Sequence, residues 1–430
     1  MNDHAIFNDF ITNPSLPLVP AKRLFCSEKR INVGMFETNR LALTMRGVIN
    51  RSLDDTEGLQ SADYSVYQLF EKDDLVFKLI DLENIKTSRV GIVPETGIMS
   101  PAYIRLKPNS ESVVPRYYYW YFYAVYLNNV FNTLGGGIRQ NLVVSDLLEV
   151  PVPDIPITLQ ANIADFLDKE TSRIESLIGE KQRFIDLLKE KRQALISHFV
   201  TKGLDANVPM KDSGVEWIGE VPEHWVLPKL IQVSARIGDG LHGTPEYEDG
   251  TCLYFVNGNN LMDGTIRITS STKEVSAVSF KENQLNLGTS TVFLSINGTI
   301  GNVALYRGES IMLGKSAAYI NVSKDVEPEF LRYSLQSGYA KTFYDLEVTG
   351  TTISNLSLNS IRKFRIALPP VEEQQKIVSS LATELYKLDS LSSEVESSIS
   401  LLKEHRTALI SAAVTGKIDV RGMVDTKGGL

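Results

Sequence analysis

Four short stretches in the second half of the chain hold the side chains best suited to chemistry. They are Gly238-Asp-Gly-Leu-His-Gly-Thr-Pro245, Asn257-Gly-Asn-Asn260, Asn297-Gly-Thr-Ile-Gly301 and Thr349-Gly-Thr-Thr-Ile-Ser-Asn355. Asn, Thr, Ser and His offer donors and acceptors that reach base edges, and glycines let backbone amides approach phosphates. The same residue types also satisfy turns, so part of each stretch serves the backbone. That chemistry is recognition by hydrogen bonding, with no bond made or broken. The five histidines, His4, His198, His224, His242 and His405, lack metal-ligand spacing, so no metal site is expected. Gly308-Glu-Ser-Ile-Met-Leu-Gly-Lys-Ser316 imitates a phosphate-cradling loop but places five residues between its glycines where that loop has four. A nucleophile elbow and a dinucleotide fingerprint are also missing, so the chain does not read as an enzyme.

Such loops need a frame. At 430 residues the chain exceeds what one hydrophobic core sustains, so two or three domains are expected. No apolar run approaches the roughly 20 residues of a membrane span, and Met1–Phe10 has no signal-peptide character, which makes the cytoplasm the default location. Cys26 and Cys252 have no CxxC partner and are expected to be buried free thiols. A net charge of -8 confines any nucleic-acid contact to a local patch. One basic stretch stands out: Lys22, Arg23, Lys29, Arg30, Arg40, Arg46 and Arg51 share it with only Glu28 and Glu37.

The chain is written twice. Leu187-Leu-Lys-Glu-Lys-Arg-Gln-Ala-Leu-Ile-Ser-His-Phe-Val-Thr201 matches Leu401-Leu-Lys-Glu-His-Arg-Thr-Ala-Leu-Ile-Ser-Ala-Ala-Val-Thr415, an offset of 214 residues from Leu187 to Leu401. The same offset carries Asn141 to Asn355, Pro156 to Pro370, Ile163 to Ile377 and Ile174 to Leu388. Each repeat has a strand-like run (Val150–Pro153; Phe364–Leu368), a proline turn and a long helical pattern.

In the first helix the apolar seam reads Ile163, Leu167, Ile174, Leu177, Phe184, Leu188 and Leu195; in the second it reads Ile377, Leu381, Leu388, Leu391, Val395, Leu402 and Leu409. Steps of four and three predict heptads and hence an antiparallel coiled coil of two rods about 60 Å long. The simplest rival is that each helix packs only on its own domain. The strand-rich regions before the helices are mixed α/β. The expected layout is a first recognition domain 1–157, spacer helix 158–202, linker 203–225, second recognition domain 226–370, spacer helix 371–416 and tail 417–430.

Ile366-Ala-Leu-Pro-Pro-Val-Glu-Glu-Gln-Gln-Lys-Ile377, with the helix ending Ala408-Leu-Ile-Ser-Ala-Ala-Val-Thr-Gly-Lys-Ile-Asp419, resembles a conserved region of type I restriction-modification specificity subunits. Asp212-Ser-Gly-Val-Glu-Trp-Ile-Gly-Glu-Val-Pro-Glu-His-Trp225 resembles the box that introduces a target-recognition domain there, and Asp239–Pro245 and Asn297–Gly301 are similar to stretches within that domain. The first half departs from the pattern: Val150-Pro-Val-Pro-Asp-Ile-Pro156 lacks the usual proline-proline-glutamate-glutamine turn, and no tryptophan box precedes Val19.

The resemblance implies a non-catalytic subunit that reads a split target on double-stranded DNA, with the paired helices setting the spacing. It also implies two methyltransferase subunits and restriction/translocase subunits as partners, which would hold S-adenosylmethionine, ATP and Mg while this chain binds no cofactor. The candidate DNA contacts are Arg46, Arg51, Arg139, Gln140 and Asn141 in the first domain. In the second they are His242, Thr244, Asn257, Asn259, Asn260, Asn297, Thr299, Lys315, Thr352 and Asn355. The alternative is a coiled-coil scaffold whose globular domains bind proteins.

Overall fold

The computed structural model describes residues 16–55, 63–80, 89–134, 141–349 and 354–423. Among these, the longer helices are α1 (Pro115–Leu127), α2 (Ile157–Lys202), α3 (Pro328–Gln336), α4 (Gly338–Glu347) and α5 (Val371–Val414). The chain folds as two compact units. Unit 1 is Met1–Lys181 with Glu396–Leu430, and unit 2 is Gln182–Val395, so each long helix contributes to both.

The two units share one plan. Unit 1 has an antiparallel sheet of β1 (Phe25–Cys26), β2 (Leu75–Phe77), β3 (Val90–Ile92) and β4 (Ile104–Pro108), in the order β1-β4-β2-β3. Unit 2 has β5 (Ser234–Asp239), β6 (Thr291–Ser295), β7 (Val303–Leu305) and β8 (Ala317–Val322), in the equivalent order β5-β8-β6-β7. A helix with proline in its first turn follows each sheet, α1 in unit 1 and α3 in unit 2.

Both central strands are apolar without alternation because both sheet faces are covered. In β6, Val292 and Leu294 join the helical core, while Phe293 packs with Val256 and Leu313 on the other face. In β2, Leu75 and Phe77 join the helical core of unit 1, and Val76 packs with Leu41, Leu43 and Met99. That second layer contains a parallel pairing in each unit: Arg40–Thr44 with Gly97–Met99, and Tyr254–Val256 with Ile311–Leu313.

Within each unit the long helices pass each other antiparallel. In unit 1, Glu175 of α2 meets Arg406 of α5 at 3.1 Å, while Ile163 and Leu167 share a core with Ile410 and Val414. In unit 2, Arg192 pairs with Asp389, and Gly203 lies against Glu373. The repeated Arg-x-Ala-Leu-Ile-Ser motif explains itself here. Arg192 and Arg406 make those ion pairs, and Ile196 and Ile410 are buried. Ser197 accepts the Gly338 amide at 2.7 Å, and Ser411 accepts from Asn128 Nδ2 at 2.9 Å.

The seam is not a heptad. Ile163, Ile174, Ile185 and Ile196 in α2, and Ile377, Leu388, Ile399 and Ile410 in α5, each eleven residues after the last, are all buried. Eleven residues per three turns is close to the period of a straight helix, which drifts about 20° per heptad from a strict seven-residue repeat. Phe184 and Leu391, read as seam residues, are therefore 41% and 37% exposed. Leu177, Leu195, Leu402 and Leu409 are half-buried, whereas Leu167, Leu188, Leu381 and Val395 are buried.

Two further expectations are corrected. Cys26 and Cys252 are both exposed: in the two-residue strand β1 it is Phe25 that enters the core, so Cys26 faces out. Part of the basic stretch of unit 1 is neutralised by carboxylates, two of them distant in sequence. Lys22 pairs with Glu149 (2.6 Å), Arg30 with Glu71 (2.5 Å) and Arg51 with Asp55 (3.2 Å). Arg40 is buried, donating to the Ser52 carbonyl at 2.9 Å.

Candidate nucleic-acid interface

The described residues of the four polar stretches of unit 2, with the turn Gly314–Ser316, are tied into one end of its strand layers. β5 ends at Asp239, and Gly240 then runs so close to the next strand that a Cβ would stand 2.0 Å from the Leu313 carbonyl oxygen. The Leu241 amide donates to Leu313 O (2.8 Å), and the Lys315 amide returns to Leu241 O (3.0 Å). The Gly314 amide donates to Val256 O at 2.8 Å, and Ser316 Oγ both receives the Gly258 amide (2.8 Å) and donates to Asn257 Oδ1 (3.0 Å). Asn297 Nδ2 donates to Lys315 O (3.2 Å), and the Gly298 amide donates to Ser354 O (3.0 Å).

This lacing sorts the candidates. His242, Thr244, Asn259, Thr299, Lys315 and Asn355 are exposed around one loop cluster. The imidazole Nε2 of His242 hydrogen-bonds Asp239 Oδ2 at 2.8 Å, which fixes the orientation of the ring. Asn257 and Asn260 have structural tasks: Asn260 Oδ1 caps the Asn257 amide (2.9 Å) and its Nδ2 donates to Arg267 O (3.0 Å). Asn297 is half-buried and spends its amide on the Lys315 carbonyl. Gly240, Gly258 and Gly314 serve tight packing, each facing protein atoms within 2.8 Å of an ideal Cβ. With His242 held by Asp239 and amide and hydroxyl groups around it, the cluster suits donor and acceptor edges of bases.

Beneath the Asn297–Gly301 loop lies a cavity of 380 Å³ lined by Ile300, Ser337, Lys341, Tyr344 and Asp345. Burial holds the Tyr344 hydroxyl protonated, far above its ordinary value, and it donates to Leu335 O at 2.9 Å.

In unit 1 the described candidates are not brought together. Arg46 sits at the tip of the Arg40–Arg51 hairpin, Arg51 is engaged by Asp55, and Asn141 follows in a separate exposed segment. Arg139, Gln140 and Thr352 lie outside the described residues. Arg46 borders a groove of 580 Å³ with Lys72, Arg116, Trp120, Asp168 and Glu175. Its charges answer one another: Arg116 Nε contacts both Asp168 oxygens (2.8 and 2.9 Å), and Trp120 Nε1 donates to Asp168 Oδ1 at 2.7 Å.

The residues that seat each domain on its helix were not singled out by sequence. Gln160 and Gln374, related by the 214-residue offset, are both buried in the first turn of a long helix. Gln160 accepts the Val114 amide (2.8 Å) and donates to Ser112 O (3.2 Å) and Ile155 O (2.8 Å). Gln374 accepts the Glu327 amide (2.7 Å) and donates to Asp325 O (2.9 Å) and Pro369 O (2.8 Å). Next to it, Glu373 receives Trp225 Nε1 at 3.1 Å and His224 Nε2 at 2.8 Å.

The mixed α/β frame is duplicated, and in unit 2 its loops converge to present amide, hydroxyl and imidazole groups. Residues 246–398 match the family model of the Type I restriction modification DNA specificity domain. The Type I restriction enzyme MjaVIII specificity subunit of Methanocaldococcus jannaschii is 24% identical over 340 residues, 76% of this chain and 76% of the relative. A chain from a solved type I R-M system complex superposes with a TM-score of 0.71 at 16% identity, over 94% of this chain and 99% of that one. The HsdS subunit from Thermoanaerobacter tengcongensis gives 0.53 at 15%, over 94% and 98%. Over residues 246–398 the chain matches that DNA specificity domain, and over about three quarters of its length it is similar to type I restriction enzyme specificity subunits.

Proposed function

We propose that this chain is the DNA-recognition subunit of a type I restriction-modification complex. It reads a bipartite target with one half-site per globular domain and performs no chemical step of its own. The observation that carries the reading is the loop cluster of unit 2, where His242, Thr244, Asn259, Thr299, Lys315 and Asn355 are exposed around one laced surface. Half-sites one helical turn apart, about 34 to 36 Å, suit two readers held on long helices.

Two methyltransferase subunits and restriction/translocase subunits are the proposed partners, in the cytoplasm. They would supply S-adenosylmethionine, ATP and Mg, so that the modified base meets its chemistry in the methyltransferase. Leu187 and Leu401, the first residues of the duplicated motif, are 59% and 65% exposed, so the chain offers the same apolar contact twice. That repetition suits two copies of one partner.

The test is genome-wide adenine methylation in cells carrying the chain and its methyltransferase, with residues 226–370 exchanged for those of a relative. One half of the methylated motif should change and the other persist. An unchanged motif refutes the reading.

A further inference from the structure

Unit 1 carries an apolar tip held out into solvent between Ile31 and Glu37. Phe36 is 94% exposed and Val33 71%, and Ile31 and Met35 are exposed beside them. The tip is built and not loose. Asn32 is buried at its base, donating through Nδ2 to Glu37 O (2.8 Å) and accepting the Glu37 amide at Oδ1 (3.1 Å). The Asn32 amide donates to Tyr67 O at 2.8 Å, and the Met35 amide closes the turn on Asn32 O at 3.0 Å. Gly34 and Met35 sit at φ +81° and +52°, and a left-handed methionine is a conformation that side chains disfavour. Backbone strain and exposed aromatic surface are both accepted to present one ring.

Charges of both signs surround the base: Glu28 is exposed beside Lys29, and Arg105 is buried against Asp74. Lys29 is exposed just before the tip, and Glu71 faces Arg30 (2.5 Å), Lys107 (3.0 Å) and Arg105 (3.2 Å) together. Lys107 first, then Arg30, holds the Glu71 carboxyl below its ordinary value, as expected in a positive field. The tip also has a telling position in the shared plan. It connects β1 to the Arg40–Thr44 strand, as the segment holding His242 and Thr244 connects β5 to Tyr254–Val256. A protruding apolar ring on the segment equivalent to the one that holds His242 and Thr244 suits insertion against stacked bases.

We propose that the Val33–Phe36 tip is a wedge that enters the DNA groove at the half-site of unit 1 and places Phe36 against a base step. The proposal rests on the DNA-recognition reading above.

The test uses the complex of this chain with its methyltransferase and a duplex carrying the methylated motif, with 2-aminopurine at successive adenine positions other than the modified one. The wild type should raise fluorescence at one step of the first half-site. Phe36→Ser should abolish that rise and weaken binding about tenfold to a hundredfold, the scale of one buried aromatic ring, and Phe36→Trp should restore both. Because Phe36 touches little of the fold, circular dichroism should not change. Equal affinity of wild type and Phe36→Ser with no step-specific signal overturns the wedge. Loss of the methyltransferase from the Phe36→Ser complex, with DNA contacts unaltered, overturns it in favour of a protein contact. A wild-type complex that binds motif and scrambled duplex alike overturns the DNA-recognition reading as well, and only that outcome does so.

Discussion

Replacing Gln374 by leucine should test how each recognition domain is fastened to its helix. The carboxamide satisfies the Glu327 N–H and the carbonyls of Asp325 and Pro369, and the side chain is 0% exposed. Leucine of similar volume would orphan all three groups. At about 1 to 1.3 kcal/mol each, less about 1 kcal/mol for the added apolar burial, the net loss is about 2 to 3 kcal/mol. For a unit the size of Gln182–Val395 that is a fall in Tm of about 5 to 10 °C.

Calorimetry of the full chain would read the shift, and hydrogen exchange would show the Glu327 amide losing its protection. Gln374→Glu adds a sign. A buried carboxyl facing two carbonyl oxygens has a folded pKa raised above its unfolded value of about 4.3, so the folded state holds a proton that the unfolded state releases. The variant's deficit should then be smallest near pH 5 and widen towards pH 8. A Tm change below about 2 °C in Gln374→Leu, with the Glu327 amide still protected, would refute the fastening argument.

Two other outcomes are expected. Leu187→Asp with Leu401→Asp should leave the Tm of the chain within a few degrees, since both side chains are exposed, yet lower methyltransferase stoichiometry in native mass spectrometry; full retention would remove these leucines from the partner surface. Glu71→Gln should cost under about 1 kcal/mol at pH 7, because the carboxylate is partly solvated. Glu71 has a depressed folded pKa, so its contribution is present above the ordinary 4.5 and lost as pH falls through the folded value; a cost constant from pH 7 to pH 3 would contradict this.

The duplication was legible because it is written in side chains that contact one another: the Arg192 and Arg406 ion pairs, the buried Ile196 and Ile410, and the hydroxyls of Ser197 and Ser411 all follow from one repeated motif. What could not be read is which polar residues face outwards. Asn257 and Asn259 have the same chemistry and stand two positions apart, yet Ser316, 59 residues away, claims the first and leaves the second exposed. The basic stretch misled for the same reason, since Glu71 and Glu149 arrive only on folding.

The seam is a different kind of miss, because its true period is in the sequence. Ile163, Ile174, Ile185 and Ile196 are spaced by eleven, but Phe184 and Leu195 lie beside them and complete a heptad equally well on paper. Helix geometry decides between the two: seven residues fall short of two full turns by about 20°, and over three heptads that error carries Phe184 out and Ile185 in. The departures of the first half follow a similar logic. Glu373 is held by His224 and Trp225, and the position 214 residues earlier is Leu159. A leucine there needs neither imidazole nor indole, while Gln160, whose partners are main-chain groups of its own domain, is kept.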